Sequence, residues 1–266
     1  MRNIDFIYMI NLDHRPEKLK MSLDQMAPYG IFPYRFSAVN GWELSLETLN
    51  AVGLQLTPQM DKGLIAMRLT QGSDFTEKSE GMNGFGLTYF AHNLTRGAIG
   101  CSLSHISILQ DAFDAGYETI WVMEDDIAVV RDPRIISDLI ERLDQLVGHE
   151  NWDVLFTDKE AIDTNAEPSI TDRSAYRPDS FFYSDDNDYA LNIQISPDFR
   201  KIGARFGSYS MILRRSGFKK LLGFFHSRKI FLPYDAEYIF PAGINLYTVL
   251  QDVVSTIPTA ITDIQL

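Results

Sequence analysis

A chain of 266 residues with a formal net charge of -12 has no long basic block to meet a nucleic-acid backbone, and that class of partner is excluded. Its 45% hydrophobic content excludes wholesale disorder and suffices for one large core. The one cysteine, Cys101, excludes an intramolecular disulfide, and no apolar run has the length to span a bilayer. The apolar stretch 6–12 is too short for a signal peptide, and a cytoplasmic protein is expected. Global acidity leaves a nucleotide ligand open, since local Arg, Lys or a metal can override it.

In chain order, Phe6 to Leu12 reads as a first strand. Pro16 then suits the first turn of a helix whose apolar face is Leu19, Leu23 and Met26, with Gly30 ending it. Residues 34–39 form a second strand that closes on the turn dipeptide Asn40-Gly41. Residues 43–97 are interrupted by glycines and read as short helices plus a mobile loop. A helix capped by Ser102 or Ser104 follows, with Leu103, Ile106 and Phe113 on its apolar face and Gly116 as its stop. Next come a strand over 119–124 and a helix with Asp132 as cap and Ile136, Leu139, Ile140, Leu143 and Leu146 as its stripe. Residues 153–156 form a short strand, 158–200 a polar, aromatic surface excursion, and 207–213 a strand feeding a helix over about 215–225. Strands alternating with helices predict one α/β domain over 1–266 with a mostly parallel central sheet, interrupted by irregular insertions at about 43–97 and 158–200.

The strand over 119–124 ends on Glu124, Asp125 and Asp126. Open α/β sheets bind ligands at the carboxyl ends of their strands. Adjacent carboxylates repel, so such a triplet calls for solvent, basic groups or a metal, and oxygen donors suit Mn²⁺ or Mg²⁺. A solvated acidic turn is the plainer alternative. In an extended segment Asp235 and Glu237 would face one side.

Four segments resemble glycosyltransferase family 25, the lipopolysaccharide and lipooligosaccharide glycosyltransferases related to collagen galactosyltransferases. Ile10-Asn11-Leu12-Asp13-His14-Arg15-Pro16-Glu17 is similar to its opening motif, and Gly97-Ala98-Ile99-Gly100-Cys101-Ser102-Leu103-Ser104-His105 to its central Gly-x-x-Gly-Cys-x-x-Ser-His signature. Met123-Glu124-Asp125-Asp126-Ile127 is similar to its acidic motif. Residues 207–222 followed by Leu232-Pro233-Tyr234-Asp235-Ala236-Glu237 resemble its late strand-helix and second acidic motif.

The resemblance implies a GT-A-type nucleotide-sugar-binding fold and a set of roles. Asp126 would ligate the cation, with Glu124 as second ligand or a contact through water, and Asp125 would bond donor hydroxyls. Asn11, Leu12 and Arg15 would lie at the base and ribose, although Arg15 could instead pair with Glu17. Gly100 would give close backbone approach, and Ser102, Ser104 and His105 would be donor-site hydrogen-bonding groups. His105 could equally be satisfied by a neighbouring carbonyl. Asp235 would be the base that takes the acceptor's proton, or else a helix N-cap, and Glu237 completes the second acidic motif. The aromatics Phe181, Phe182, Tyr183 and Tyr189 could form an acceptor platform or simply pin the loop.

The implied activity is that of a metal-dependent inverting hexosyltransferase, a β-galactosyltransferase using UDP-galactose. Its acceptor would be a saccharide or glycolipid such as lipooligosaccharide or another surface glycan. Two rivals remain: a metal-independent glycoside hydrolase using Asp126 and Asp235 as paired carboxylates, and a non-catalytic binding protein of the same fold. The basic pairs Arg214-Arg215 and Lys219-Lys220 could touch the inner face of a membrane, or form a solvated helix face.

Overall fold

The computed structural model describes residues 1–70, 76–92, 94–161, 176–179, 191–257 and 263. Among these, no helix is long and apolar enough to cross a membrane. The proposed aromatic platform, at 181–183 and 189, lies outside the described residues.

The centre is a mixed sheet of eight strands. They are β1 (Phe6–Asn11), β2 (Tyr34–Ser37), β7 (Thr119–Glu124), β9 (Val154–Phe156), β10 (Asn192–Gln194), β11 (Phe199–Ile202), β12 (Ser210–Arg214) and β13 (Leu246–Val249), in the order β10-β11-β13-β9-β12-β7-β1-β2. The β2-β1, β1-β7 and β13-β9 pairs are parallel, while β12 and β11 run against their neighbours. Following those pairings, six of the eight strands point one way, leaving β12 and β11 reversed. This mixed α/β architecture is consistent with the expected GT-A-like fold.

Strand alternation divides the core into two faces. Tyr8, Ile10, Ile120 and Val122 belong to one buried cluster, and Met9, Trp121 and Met123 to the other. The first cluster packs on α3 (Arg96–Asp114) and α5 (Arg215–Arg228), the second on α1 (Pro16–Met26) and α4 (Ile136–Val147). The chain leaves β1 toward β2 through α1 on one face, and enters β7 on β1's other side from α3 on the opposite face. The carboxyl ends of β1 and β7 therefore meet at a topological switch point, where such sheets open a crevice.

Residues 43–97 differ from the expectation. They hold α2 (Leu46–Val52), capped by Ser45 Oγ accepting from the Thr48 N–H at 3.1 Å. Beyond it lies a second, antiparallel sheet of β3 (Leu54–Gln55), β4 (Ile65–Thr70), β5 (Thr76–Gly81) and β6 (Thr88–Ala91). Met67, Leu69, Tyr89 and Phe90 on these strands join the first core cluster. The excursion at 158–200 also contributes structure, since β10 and β11 form the far edge of the main sheet. A small antiparallel pair, β8 (Ile127–Val129) with β14 (Val254–Thr256), follows the acidic triplet. The helix α3 starts at Arg96 with Thr95 as its cap, well before the serines expected to cap it. Asp132 does cap, receiving the Arg134 N–H at 3.0 Å, but over a single 3-10 turn that leads into α4.

Two contacts fix the surroundings of the crevice. A Cβ on Gly41 would sit 1.8 Å from the Arg96 carbonyl oxygen, and one on Gly100 would sit 2.5 Å from both the Gly41 nitrogen and the Val39 oxygen. The loop after β2 thus lies backbone to backbone on the first turns of α3. Glu237, in the short helix α6 (Tyr234–Glu237), is fully buried. It forms an ion pair with buried Arg177 and accepts from the backbone N–H groups of Phe231 at 2.7 Å and Leu232 at 2.6 Å. Arg177 also reaches the Arg228 carbonyl at 2.8 Å, tying segment 176–179 to the end of α5.

Gly41→Ala is expected to lose about 1–3 kcal/mol in urea unfolding, as overpacking against backbone does. Gly223→Ala, in α5 with open space around its Cα, should gain up to about 1 kcal/mol in the same measurement. Equal effects would sink the close-approach reading. Glu237→Gln leaves Arg177 buried with Asp179 as counter-ion but without this second carboxylate, and should destabilise the fold by less than the ~3–5 kcal/mol of a fully unpaired buried charge.

Candidate active site

The crevice at the β1–β7 switch point opens to solvent and has a cavity volume of about 90 Å³. Its floor is Ile10, Asn11 and Leu12 from the end of β1, with Glu124, Asp125 and Asp126 from the end of β7. One wall is the loop 38–42; another is Gly97, Cys101 and Ser104 of α3. Lys18 and Asp263 complete the lining.

The three adjacent carboxylates part because a strand alternates. Glu124 continues the Ile120-Val122 face and meets α3. Its Oε1 accepts from His105 Nε2–H at 3.1 Å and from Ser208 Oγ–H at 2.7 Å. Burial pushes this carboxyl up, but the His105 and Ser208 hydrogen bonds together with attraction from His105 and Lys18 hold Glu124 below the usual carboxylate range. His105, 1% exposed, is fixed further by stacking on Tyr234 with ring centroids 4.3 Å apart. The alternative that a carbonyl satisfies its Nε2 is replaced by this carboxylate contact.

Asp125 turns toward α1. Its Oδ2 accepts from Asn11 Nδ2 at 2.6 Å, and its carbonyl accepts from Ser22 Oγ at 2.7 Å. Burial raises its pKa, with the Asn11 hydrogen bond working against that. Asp126 is different. Its Oδ1 is buried with no hydrogen-bond partner among the described residues. Burial, followed by repulsion from Glu124 and Asp125, pushes its carboxyl up to about 7. A buried carboxylate oxygen left without a donor, among oxygen ligands, fits a hard divalent cation such as Mn²⁺ or Mg²⁺.

Other predicted residues have structural duties. Asn11, 2% exposed, gives its amide hydrogens to the Arg15 carbonyl at 2.8 Å and to Asp125, while its Oδ1 receives Arg35 Nε at 2.9 Å. Both amide hydrogens are taken by protein acceptors, so Asn11 orients Asp125 from the crevice floor. Arg15 pairs with Glu17 at 2.7 Å and with Asp263, the pairing alternative that its sequence allowed. Gly100 serves the helix–loop contact, and Ser102 Oγ returns to the Ala98 carbonyl at 3.0 Å within α3, away from the crevice. Ser104 lines the crevice while its hydroxyl donates to the Gly100 carbonyl and accepts from the Val39 N–H, both at 2.8 Å.

Asp235 and Glu237 do not share a face, because the segment is a helical turn and not extended chain. Asp235 is not its N-cap; Pro233 holds that position. Its Oδ2 accepts from the Gly207 N–H at 2.8 Å. Burial raises its pKa and proximity to Glu124 adds to the rise, against the Gly207 hydrogen bond. Glu237 is bound to Arg177 and the Phe231–Leu232 backbone and takes no part in the crevice.

Sequence reasoning passed over Lys18, whose ammonium favours the ionised forms of Glu124, Asp125 and Asp126 together. A lone lysine on a predicted helix gives no signal of this kind. Ser208 was also unmarked, although its place beside Gly207 in the late motif offered a cue. Cys101 sits one helical turn before His105. Burial drives its thiol pKa up, and Glu124, Asp235 and Asp126 add to that.

The architecture and these motifs agree with comparison to known proteins. Residues 4–236 match the family model described as Glycosyltransferase family 25 (LPS biosynthesis protein). A "Glycosyltransferase 25 family member" of Drosophila pseudoobscura pseudoobscura is 24% identical over 169 residues, covering 64% of this chain and 23% of that protein. The human "Inactive glycosyltransferase 25 family member 3" is 25% identical over 168 residues, covering 62% and 24%. The human "Procollagen galactosyltransferase 2" is 26% identical over 153 residues, covering 57% and 20%. The matched region thus spans about a quarter or less of these relatives' length. With its model matching nearly the whole chain, the protein belongs to glycosyltransferase family 25.

Proposed function

We propose that the protein is a metal-dependent inverting glycosyltransferase that moves a hexose, galactose from UDP-galactose, onto a saccharide or glycolipid acceptor. The observation that carries this reading is Asp126 Oδ1, buried on the floor of the crevice with no hydrogen-bond partner among the described residues. Asp126, with Glu124, would hold a divalent cation that offsets the negative charge building on the departing diphosphate. Lys18, paired with Asp263, lies in the same crevice and favours the ionised forms of the three carboxylates. Asp125, oriented by Asn11, is the hydrogen-bond acceptor for donor hydroxyls. The Gly207 N–H steers the Asp235 carboxylate, and burial makes it a stronger base than an exposed aspartate. Asp235 would take the acceptor hydroxyl's proton as the new glycosidic bond forms. The galactosyl assignment draws on the relative named a procollagen galactosyltransferase.

A second reading, donor binding without turnover, has the relatives named inactive in its favour. Asp235→Asn separates the two. Loss of a general base costs about 10²–10⁴-fold in kcat. The variant should show that loss while keeping the thermal shift produced by UDP with Mn²⁺. Wild-type turnover in the variant would remove Asp235 from the role, and a wild type that binds but never transfers would favour the second reading.

The raised Asp126 carboxyl makes a further prediction about the metal-free protein. Its folded pKa lies above the ordinary value, so ionisation is disfavoured in the folded state. That destabilisation is absent below about pH 4, grows as pH rises toward about 7, and is complete above it. Metal-free Asp126→Asn should therefore be more stable than wild type at about pH 8, and the advantage should vanish near about pH 4. The same variant should lose the Mn²⁺-dependent part of the UDP thermal shift. A UDP shift in wild type that needs no metal would count against the cation reading.

A further inference from the structure

Cys101 and His105 are four residues apart on α3, so both side chains project from one face of the helix. Glu124 reaches that face from the end of β7. The Cys101 Sγ, a His105 ring nitrogen and a Glu124 carboxylate oxygen all lie within 4.8 Å of one another. Thiolate, imidazole and carboxylate form a zinc-type donor set, distinct in softness from the all-oxygen set at Asp126.

We propose that Cys101, His105 and Glu124 form a second cation site, selective for a thiophilic divalent ion such as Zn²⁺.

The geometry is close to what the ion requires. Two nitrogen or oxygen ligands on tetrahedral zinc lie about 3.3 Å apart, and a sulfur and a nitrogen about 3.6 Å apart, given bonds of about 2.0–2.3 Å. His105 Nε2 and Glu124 Oε1 are already 3.1 Å apart. Small side-chain adjustments bring the sulfur to the remaining distance. Cys101 and Glu124 both line the crevice, so the fourth position opens to water. The surroundings are built to hold the ligands. His105 is clamped on the Tyr234 ring, and Glu124 receives Ser208 Oγ. The Tyr234 hydroxyl is buried without a partner among the described residues and lies within electrostatic reach of both Cys101 and Glu124. A water on the ion would offer that hydroxyl an acceptor. Binding releases the thiol proton to solvent and displaces the His105 Nε2 proton, which moves to Nδ1 of the neutral ring or, from a cationic ring, to solvent; no electron is transferred.

The consequence is competition for Glu124. A zinc ion drawn to the thiolate takes this carboxylate away from the hard cation at Asp126, making zinc an antagonist of the manganese-dependent state. That consequence rests on the transferase reading above; the site itself does not.

Cobalt(II) titration of the metal-free full chain tests the site without any assay of transfer. Because the chain has one cysteine, a thiolate-to-cobalt charge-transfer band can come only from Cys101. The expected result is such a band at one equivalent, tetrahedral visible absorption, and displacement of both by Zn²⁺. Cys101→Ser should abolish the band and weaken Zn²⁺ binding, followed by chelator competition, by more than the roughly 10–100-fold typical of losing an outer-shell partner. His105→Gln should weaken binding while retaining a shifted band. Asp126→Asn should leave the band in place. Circular dichroism and the thermal midpoint verify that each variant is folded. Cobalt bound without a charge-transfer band, or binding that vanishes in Asp126→Asn and persists in Cys101→Ser, would overturn the proposal.

Discussion

Three consecutive carboxylates in a half-buried crevice cannot all ionise unless each finds a counter-interaction, and much of the local architecture follows from how this chain supplies them. Alternation along β7 and the turn after it send the side chains to different surroundings. Glu124 takes an imidazole and a hydroxyl from α3 and the segment before β12, and stays ionised. Asp125 takes an amide from Asn11, which in turn is held by Arg15 and Arg35. Asp126 has no hydrogen-bond partner for its buried Oδ1 among the described residues, and its carboxyl is pushed up to about 7. Satisfying two members and leaving the third unsatisfied concentrates the demand for positive charge at one oxygen. Full satisfaction of all three would have given a stable acidic turn with no remaining appetite for a cation.

The central signature then has a different physical meaning from the one its sequence suggests. Gly-x-x-Gly at a predicted helix start invites the reading of a backbone cradle for a ligand. Here the glycines sit inside α3, and Gly100 lets the loop carrying Val39, Asn40 and Gly41 lie directly on the helix. That contact positions the loop as one wall of the crevice. Ser104 locks it by accepting the Val39 N–H. The signature's ligand-facing content reduces to Gly97, Cys101 and Ser104 at the wall and His105 behind Glu124.

How much of this the sequence disclosed depended on whether the signal was local. The opening strand and helix, the α4 stripe and the strand into Glu124 follow from short-range periodicity and were legible. The second sheet was not, because its strands are short and broken by glycines, and its stability comes from burying Met67, Tyr89 and Phe90 against a distant core. The edge strands β10 and β11 were hidden for a related reason: an antiparallel edge needs no continuous apolar run. Among site residues, the acidic triplet was legible as a cluster, but its division of labour was not. That division is set by partners 19 to 114 positions away in the chain, which no local pattern encodes. The alternating Asp235 and Glu237 were misjudged because a four-residue helix reverses the facing that extended chain would give.

The motif residues thus fall into two physical groups. Glu237, Asn11, Gly41 and Gly100 are consumed by contacts that hold the backbone in place, so their identity is tied to the fold. Asp126 and Asp235 are tied to it less closely: one has a buried oxygen with no hydrogen-bond partner among the described residues, and the other accepts from nearby backbone N–H groups, Gly207 at 2.8 Å among them. Removing either charge would relieve an electrostatic cost rather than open a defect. A family can therefore lose turnover by drift at these two positions while the sheet, the helices and even the signature persist. Relatives named as inactive beside relatives named as transferases are what such a separation permits. In this chain both carboxylates are present, and both carry the raised proton affinity that burial without full compensation produces.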